Sequence, residues 1–131
     1  MKRVLGLCAA SALLIAGLAS VGSAQVLNNN HYLCHKVKDL KVPAKFVATN
    51  ASVVDQTIST TVALKKPYLL CNPVSKNGGP IFDPTLHYCC YKAKAASKVK
   101  ANYDITDQFG PLRLGTKKPF LLCNPCTKAP A

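Results

Sequence analysis

Short apolar runs alternate with polar positions and turn residues through most of the chain after residue 30. From His31 to Lys38, Tyr32, Cys34, Lys36 and Lys38 fall on one face and Leu33, His35 and Val37 on the other, which predicts an exposed or edge strand. Lys45–Ala48 and Ser52–Asp55 read as two short strands around a Thr49-Asn50-Ala51 turn. The Thr- and Val-rich run Ile58–Leu64 suits a strand better than a helix. Tyr68–Cys71 reads as a further short strand, begun after Pro67 and ended by Asn72-Pro73. Turn chemistry then takes over at Asn77-Gly78-Gly79-Pro80 and Asp83-Pro84, which marks 77–86 as a linker. Ala93–Ala101 is rich in Ala and Lys and helix-compatible on propensity, but its counterpart upstream, Val37–Lys45, contains Pro43 and lacks helical periodicity. Strand and loop are therefore expected in both. Asp107–Pro111 reads as a turn into a strand at Leu112-Arg113-Leu114.

The same plan occurs twice. Lys65-Lys66-Pro67-Tyr68-Leu69-Leu70-Cys71-Asn72-Pro73 recurs as Lys117-Lys118-Pro119-Phe120-Leu121-Leu122-Cys123-Asn124-Pro125 with one change. His31–Lys38 aligns with His87–Lys94 without gaps, as does Asp55–Lys76 with Asp107–Lys128. The segment between them is four residues shorter the second time, which places the length variation in a loop. Two units, 31–76 and 87–128, joined by the 77–86 linker, predict one domain over 25–131. The expected architecture is all-β: a disulfide-stapled sandwich or barrel built from two pseudo-symmetric repeats.

The first 24 residues follow a different rule. A basic start at Lys2-Arg3, an apolar run to Val21 and small residues at Gly22-Ser23-Ala24 read as a signal peptide cleaved before Gln25. Cys8 follows Leu7 too early in that run for lipid attachment. The expected destination is secreted or periplasmic, with no transmembrane segment in the mature chain. Without Lys2 and Arg3 the 17 basic residues fall to fifteen, against five acidic ones, a net charge of +10. Fourteen of the fifteen are Lys, only Arg113 is Arg, and Glu is absent. Such a surface attracts anions, while the near absence of Arg forks and clustered aromatics disfavours specific nucleic-acid recognition.

Without Cys8, six cysteines remain, an even number that reads as a disulfide framework in a small exported domain. Cys34 corresponds to Cys90 and Cys71 to Cys123, so Cys34–Cys71 and Cys90–Cys123 form the simplest frame. Cys89 and Cys126 replace Leu33 and Val74 together, which suggests a third bridge, Cys89–Cys126. A swapped frame, Cys34–Cys123 with Cys71–Cys90, is the competing arrangement.

Candidate chemistry is sparse. Cys123-Asn124-Pro125-Cys126 is a CxxC, the basis for a thiol–disulfide oxidoreductase, but it follows an apolar strand and has no βαβ pattern upstream. His31, Cys34 and His35 could seed a metal site, and Cys89, Cys90, Cys123 and Cys126 a Cys₄ one, though an oxidising compartment favours bridges. Asp55 and Asp107 occupy equivalent positions and read as turn-starting side chains rather than a catalytic pair. Asn50-Ala51-Ser52 fits a glycosylation sequon. No catalytic residue, metal or cofactor is expected. The recurring lysines are the more informative set: Lys36 and Lys38 match Lys92 and Lys94, and Lys65 and Lys66 match Lys117 and Lys118. They predict two equivalent basic patches or one continuous one, or simply solvated, charge-guarded strand edges.

With these motifs assembled, the chain resembles a poorly characterised family of exported bacterial repeat domains. Its units run His-x-x-Cys-Tyr-Lys, Asp-Gln-Phe-Gly, then Lys-Pro-x-x-Leu-Cys-x-Pro-x-x-Lys. The second unit carries His87, Cys90-Tyr91-Lys92, Asp107–Gly110 and Lys118–Lys128; the first departs at His35 and at Thr57-Ile58. The resemblance implies export and paired repeats, and no activity. The expected function is a non-enzymatic binding or structural module facing an anionic envelope polymer or lipid surface. The alternatives are the Cys123/Cys126 oxidoreductase and a cationic secreted effector or inhibitor.

Overall fold

The structure is a computed structural model and describes residues 29–131; the leader assigned to 1–24 lies outside the described residues. The described chain is all-β and antiparallel. Its strands are β1 (His31–Lys36), β2 (Thr49–Val54), β3 (Ser59–Val74), β4 (His87–Ala95), β5 (Asn102–Asp107), β6 (Gly110–Gly115) and β7 (Leu121–Cys126). Five of them form one sheet in the order β1-β3-β4-β7, with β2 also beside β3, while β5 and β6 pair with each other.

The long strand β3 sets the arrangement. Lys65-Lys66-Pro67, which the sequence predicts to separate two strands, is carried through as continuous strand over 16 residues. Register irregularities at Leu64/Lys66 and at Pro67/Leu69 each place an extra residue on β3 opposite β4. Such bulges let a chain absorb a local misfit without ending the ladder. The opposite edge of β3 is shared: β2 takes residues 59–64 and β1 takes 69–74. Residues 65–68 face neither strand, and Pro67, which has no N–H to offer, sits where no ladder partner needs one.

Local chemistry explains the other boundaries. Of the two strands expected around Thr49-Asn50-Ala51, Lys45–Ala48 is loop, and the other begins earlier than expected, at Thr49, because Thr49-Asn50-Ala51 pairs in register with β3 through Asn50↔Ala63 and Ala51↔Val62. Residues 96–101 are loop, after β4 ends at Ala95. Asn77 and Gly78 both take positive φ, 51° and 76°, and the Gly79 amide donates to the Lys76 carbonyl at 2.9 Å. Two left-handed central residues are what a tight primed turn requires. Asn30, expected as part of a frayed lead-in, instead clasps the linker: its Oδ1 accepts from the amides of Phe82 and Asp83 at 2.8 and 3.0 Å.

The core is thin. Val62, Leu64, Ala93 and Ala95 are buried on one face, with Phe46, Ala51, Val53, Tyr91 and Leu122 packed around them. Phe46 and Tyr91 stack tilted at 5.0 Å. On the other face Cys71 and Cys90 are buried beside Tyr32 and Tyr88, whose rings meet edge-on at 5.0 Å.

Three disulfides reinforce this core. Cys34–Cys71 and Cys90–Cys123 join direct register partners, and the swapped frame is not formed. Cys89 lies opposite Asn124, so Cys89–Cys126 is a diagonal bridge on the other face of the same strand pair. The strand pairs so bridged correspond in register, His31↔Val74 with His87↔Cys126 and Cys34↔Cys71 with Cys90↔Cys123.

The expected sandwich or barrel takes a more open form. Among the described residues the outer edges of β1 and β7 pair with no other strand, so the sheet does not close on itself. The β5–β6 hairpin is no second layer either. Its tip touches the main sheet where Gln108 Nε2 comes within 3.1 Å of His31 Nε2 and where Lys76 Nζ sits 4.5 Å above the Phe109 ring. Phe109 nonetheless stays 83 % exposed.

Candidate functional site: a lysine-lined cavity beside β3

Where the edge of β3 shared by β1 and β2 lacks a strand partner at 65–68, the loop after β1 folds across the gap. That loop is shaped by Asp39. Its Oδ1 accepts from the Lys41 amide at 2.8 Å and its Oδ2 from the Phe46 amide at 2.9 Å, pinning both ends of the 41–46 segment. Lys41 is held at φ 62°, a left-handed conformation that non-glycine residues adopt rarely. The Phe46 amide, then the Lys41 amide, keep the Asp39 carboxyl below its ordinary range; the charges of Lys41 and Lys45 add to this, and desolvation opposes it.

Between loop and strand lies an open cavity of about 430 Å³, lined by Val37, Lys38, Asp39, Lys41, Lys45, Phe46, Lys65 and Lys66. Five lysines thus surround one carboxylate, and that carboxylate already accepts two backbone hydrogen bonds. Phe46 supplies an apolar wall, anchored from behind by Tyr91. Lys66 is in register with Lys92, which extends the positive surface onto β4, and Lys92 Nζ stands 4.7 Å over the Tyr68 ring.

Of the recurring lysines, Lys38, Lys65 and Lys66 come together here. Lys36 lies opposite Leu69 on β1, and Lys94 opposite Ala63 on β4. Lys117 and Lys118 lie between β6 and β7 and do not line this cavity. Sequence reasoning missed Asp39, Lys41, Lys45 and Phe46. The available signal was the four extra residues of the first loop, with lysines flanking Pro43. The position corresponding to Asp39 is Ala95, which is a buried strand residue, so the second half cannot build the same loop.

The other candidate chemistries are placed as follows. Cys123 and Cys126 are not joined to each other; they are bridged separately to Cys90 and Cys89, from a strand rather than a helix start. Cys34 is bridged, His35 is exposed, and His87 is buried with its Nδ1 3.1 Å from Asn72 Oδ1. Among the described residues no group of three or more His, Cys, Asp or Glu is arranged to hold a metal ion.

All five aspartates already have structural partners. Asp55 accepts from the amides of Thr57 and Ile58 at 2.7 and 2.8 Å, which lowers its pKa, the Thr57 amide contributing most. Asp107 accepts from the Phe109 amide at 2.8 Å, and Asp83 is lowered by the Thr85 hydroxyl and amide. Asp104 pairs with Arg113 at 2.6 Å on the exposed surface. Acid–base catalysis needs a carboxyl poised near neutral pH, and every resolved shift here runs the other way.

Comparison of the chain with known protein families, with curated proteins and with solved structures finds no match. Among the described residues no helix is long and apolar enough to cross a membrane, and the three disulfides are consistent with an oxidising, extracellular setting.

Proposed function

We propose that the protein is an exported, non-enzymatic binding module whose partner is an anionic polymer of the cell envelope. The observation that carries this reading is the cavity beside β3, where five lysines face one carboxylate that is already occupied by backbone amides. Clustered ammonium groups repel one another, and an acidic partner relieves that repulsion. The cavity is open rather than enclosed, which suits the side groups of an extended chain better than a small molecule that must be swallowed whole. The likeness to exported repeat domains, the leader assigned to 1–24 and the two-unit plan of 31–76 and 87–128 belong to the same reading. An oxidoreductase at Cys123 and Cys126 would need these two thiols paired with each other, and the bridging pattern gives that alternative no support.

The test is binding of the purified protein to a polyuronate and to vesicles containing phosphatidylglycerol, each over a range of salt. Affinity for the polyuronate is expected to fall as salt rises, because exposed charge pairs are screened within about 8–10 Å at 0.1–0.15 M. Replacing Lys41, Lys45, Lys65 and Lys66 by Gln should weaken it by about tenfold, equivalent to 1.4 kcal/mol. Replacing Lys117 and Lys118 by Gln, outside the cavity, should cost much less per charge removed. Equal loss per charge in the two variants would reduce the cavity to general charge and overturn the reading. Preference for the vesicles would replace the polymer by a lipid surface.

A further inference from the structure

The two outer edges of the sheet fit one another. Among the described residues β1 and β7 each pair on one side only, β1 with β3 and β7 with β4. The Val37 amide donates to the Tyr68 carbonyl at 3.0 Å, so β-strand alternation turns the amides of Tyr32, Cys34 and Lys36 away from β3. The Ala93 amide donates to the Phe120 carbonyl at 2.9 Å, so the same alternation turns the backbone groups of Leu121 and Cys123 away from β4. Among the described residues, each edge therefore presents a row of donors and acceptors that no strand uses.

The chain already contains the seam that would join them. β4 has the sequence plan of β1, and the second half of β3 has that of β7. Within the chain β3 and β4 pair through Leu69↔Cys90, Cys71↔Tyr88 and Lys66↔Lys92. Transferred to the free edges by sequence correspondence, that register sets Leu121 opposite Cys34, Cys123 opposite Tyr32 and Lys118 opposite Lys36 of a neighbour. At Leu121 with Cys34 and at Cys123 with Tyr32, both edges turn their backbone groups outward, while Lys118 lies in the segment just before β7. Pro125, which lacks an N–H, corresponds to Pro73, and Pro73 lies beyond the last β3·β4 pair, so it obstructs nothing. Leu33, 56 % exposed on β1, would come opposite Leu122, just as Cys89 lies opposite Leu70.

We infer that β7 of one molecule accepts β1 of a second copy of this chain, adding strands head to tail in the register of the internal β3·β4 seam. The contact is heterologous: the surface used at one end is not the surface used at the other, so growth does not stop at a dimer. This inference rests on the sequence correspondence of the strands and not on the anion-binding reading, and the two respond to salt with opposite sign. Chains of net charge +12, or +10 without Lys2 and Arg3, repel one another, so salt should strengthen association even as it weakens anion binding.

The experiment joins sedimentation with cross-linking. Sedimentation of the purified protein should show a weight-average mass that rises with concentration and with salt and passes two chains without a plateau. Equal parts of isotopically heavy and light protein are then treated with a short amine-reactive cross-linker and mapped by mass spectrometry. Heavy-to-light links should join Lys36 to Lys118, while Lys66 to Lys92, adjacent within one chain, reports intrachain linkage as a control. Lys36→Pro removes an outward amide that no bond among the described residues uses, and should return the mass to one chain. If that variant fails to fold, the heavy-to-light map on the unaltered protein decides alone. A monomer at millimolar protein and raised salt, a plateau at two chains, or heavy-to-light links confined to Lys36–Lys36 or Lys118–Lys118 overturns the inference.

Discussion

Two hairpins of corresponding sequence position meet different fates. β2 with the first part of β3 pairs through Val54↔Ser59 and Ala51↔Val62, and β5 with β6 through Thr106↔Pro111 and Tyr103↔Leu114. Both carry an apolar face. In the first, Val62 and Leu64 are 3 % and 6 % exposed because β4 continues alongside through Ala93 and Ala95. In the second, among the described residues, no strand lies on the far edge of β6, and Leu112 and Leu114 are 52 % and 48 % exposed. The lesson is that a strand's own sequence does not decide how deeply it is buried; the neighbour on its far edge does.

The disulfides divide along the same line and give the largest expected contrast. Cys34–Cys71 alone closes the loop that holds the first hairpin, while Cys90–Cys123 and Cys89–Cys126 are nested around the second. Replacing Cys34 and Cys71 by Ala reopens the whole loop and should cost about 4 kcal/mol in the chain-entropy account. Replacing Cys89 and Cys126 by Ala frees only the few residues between the nested bridges, and should cost about 2 kcal/mol. Denaturant unfolding of both variants, with the remaining bridges intact, measures the difference. Equal losses would mean that the nested bridges constrain independent parts of the unfolded chain.

Side-chain truncation probes the hairpins themselves. Leu64→Ala should destabilise by about 2–3 kcal/mol, near the low end for a buried leucine because the core is one face of one sheet. Leu114→Ala should cost under about 1 kcal/mol, as half-exposed sites do. If the two variants unfold alike, the second hairpin is packed in solution against something that shields Leu114.

The smallest effect is confined to the first loop. Asp39 has its folded pKa lowered, so its stabilisation is present above the unfolded value, about 3.9, and lost as pH falls through the lower folded value. The amide resonances of Lys41 and Phe46 should shift together in that acid range. Those of Ala96 and Ser97, which follow the corresponding position Ala95 in the second half, should not join them. In Asp39→Asn the coupled shift should vanish. Movement of the Phe46 resonance around pH 6–7 instead would assign the loop to another group.

Much of the chain was legible from local pattern. β1, the Asn77-Gly78 turn, the turn-forming roles of Asp55 and Asp107 and the pairing of corresponding cysteines all follow from short-range chemistry and the duplicated text. The continuity of β3 was not legible, because Lys65-Lys66-Pro67 has the composition of a break and only the flanking strands and two bulges carry it through. The cavity was half legible. Lys38, Lys65 and Lys66 stood out by recurrence, but Lys41 and Lys45 join them only because Asp39 reaches backbone amides up to seven residues away. The open sheet was hidden for a related reason: alternation reports which face is buried and says nothing about which edges find partners.

The placing of the bridges also governs how the protein would behave under tension. A pull on the two ends enters through β1 and leaves through β7, and it meets covalent short cuts at Cys34–Cys71 and Cys89–Cys126. Everything inside those loops, both hairpins and the lysine cavity included, is shunted out of the load path. The only described stretch left to pay out lies between Cys71 and Cys89, a separation of 18 positions that lengthens to about 60 Å when drawn straight. The fold is thus a short tether with a fixed stop, and the loop that carries the cavity's five lysines bears none of the load.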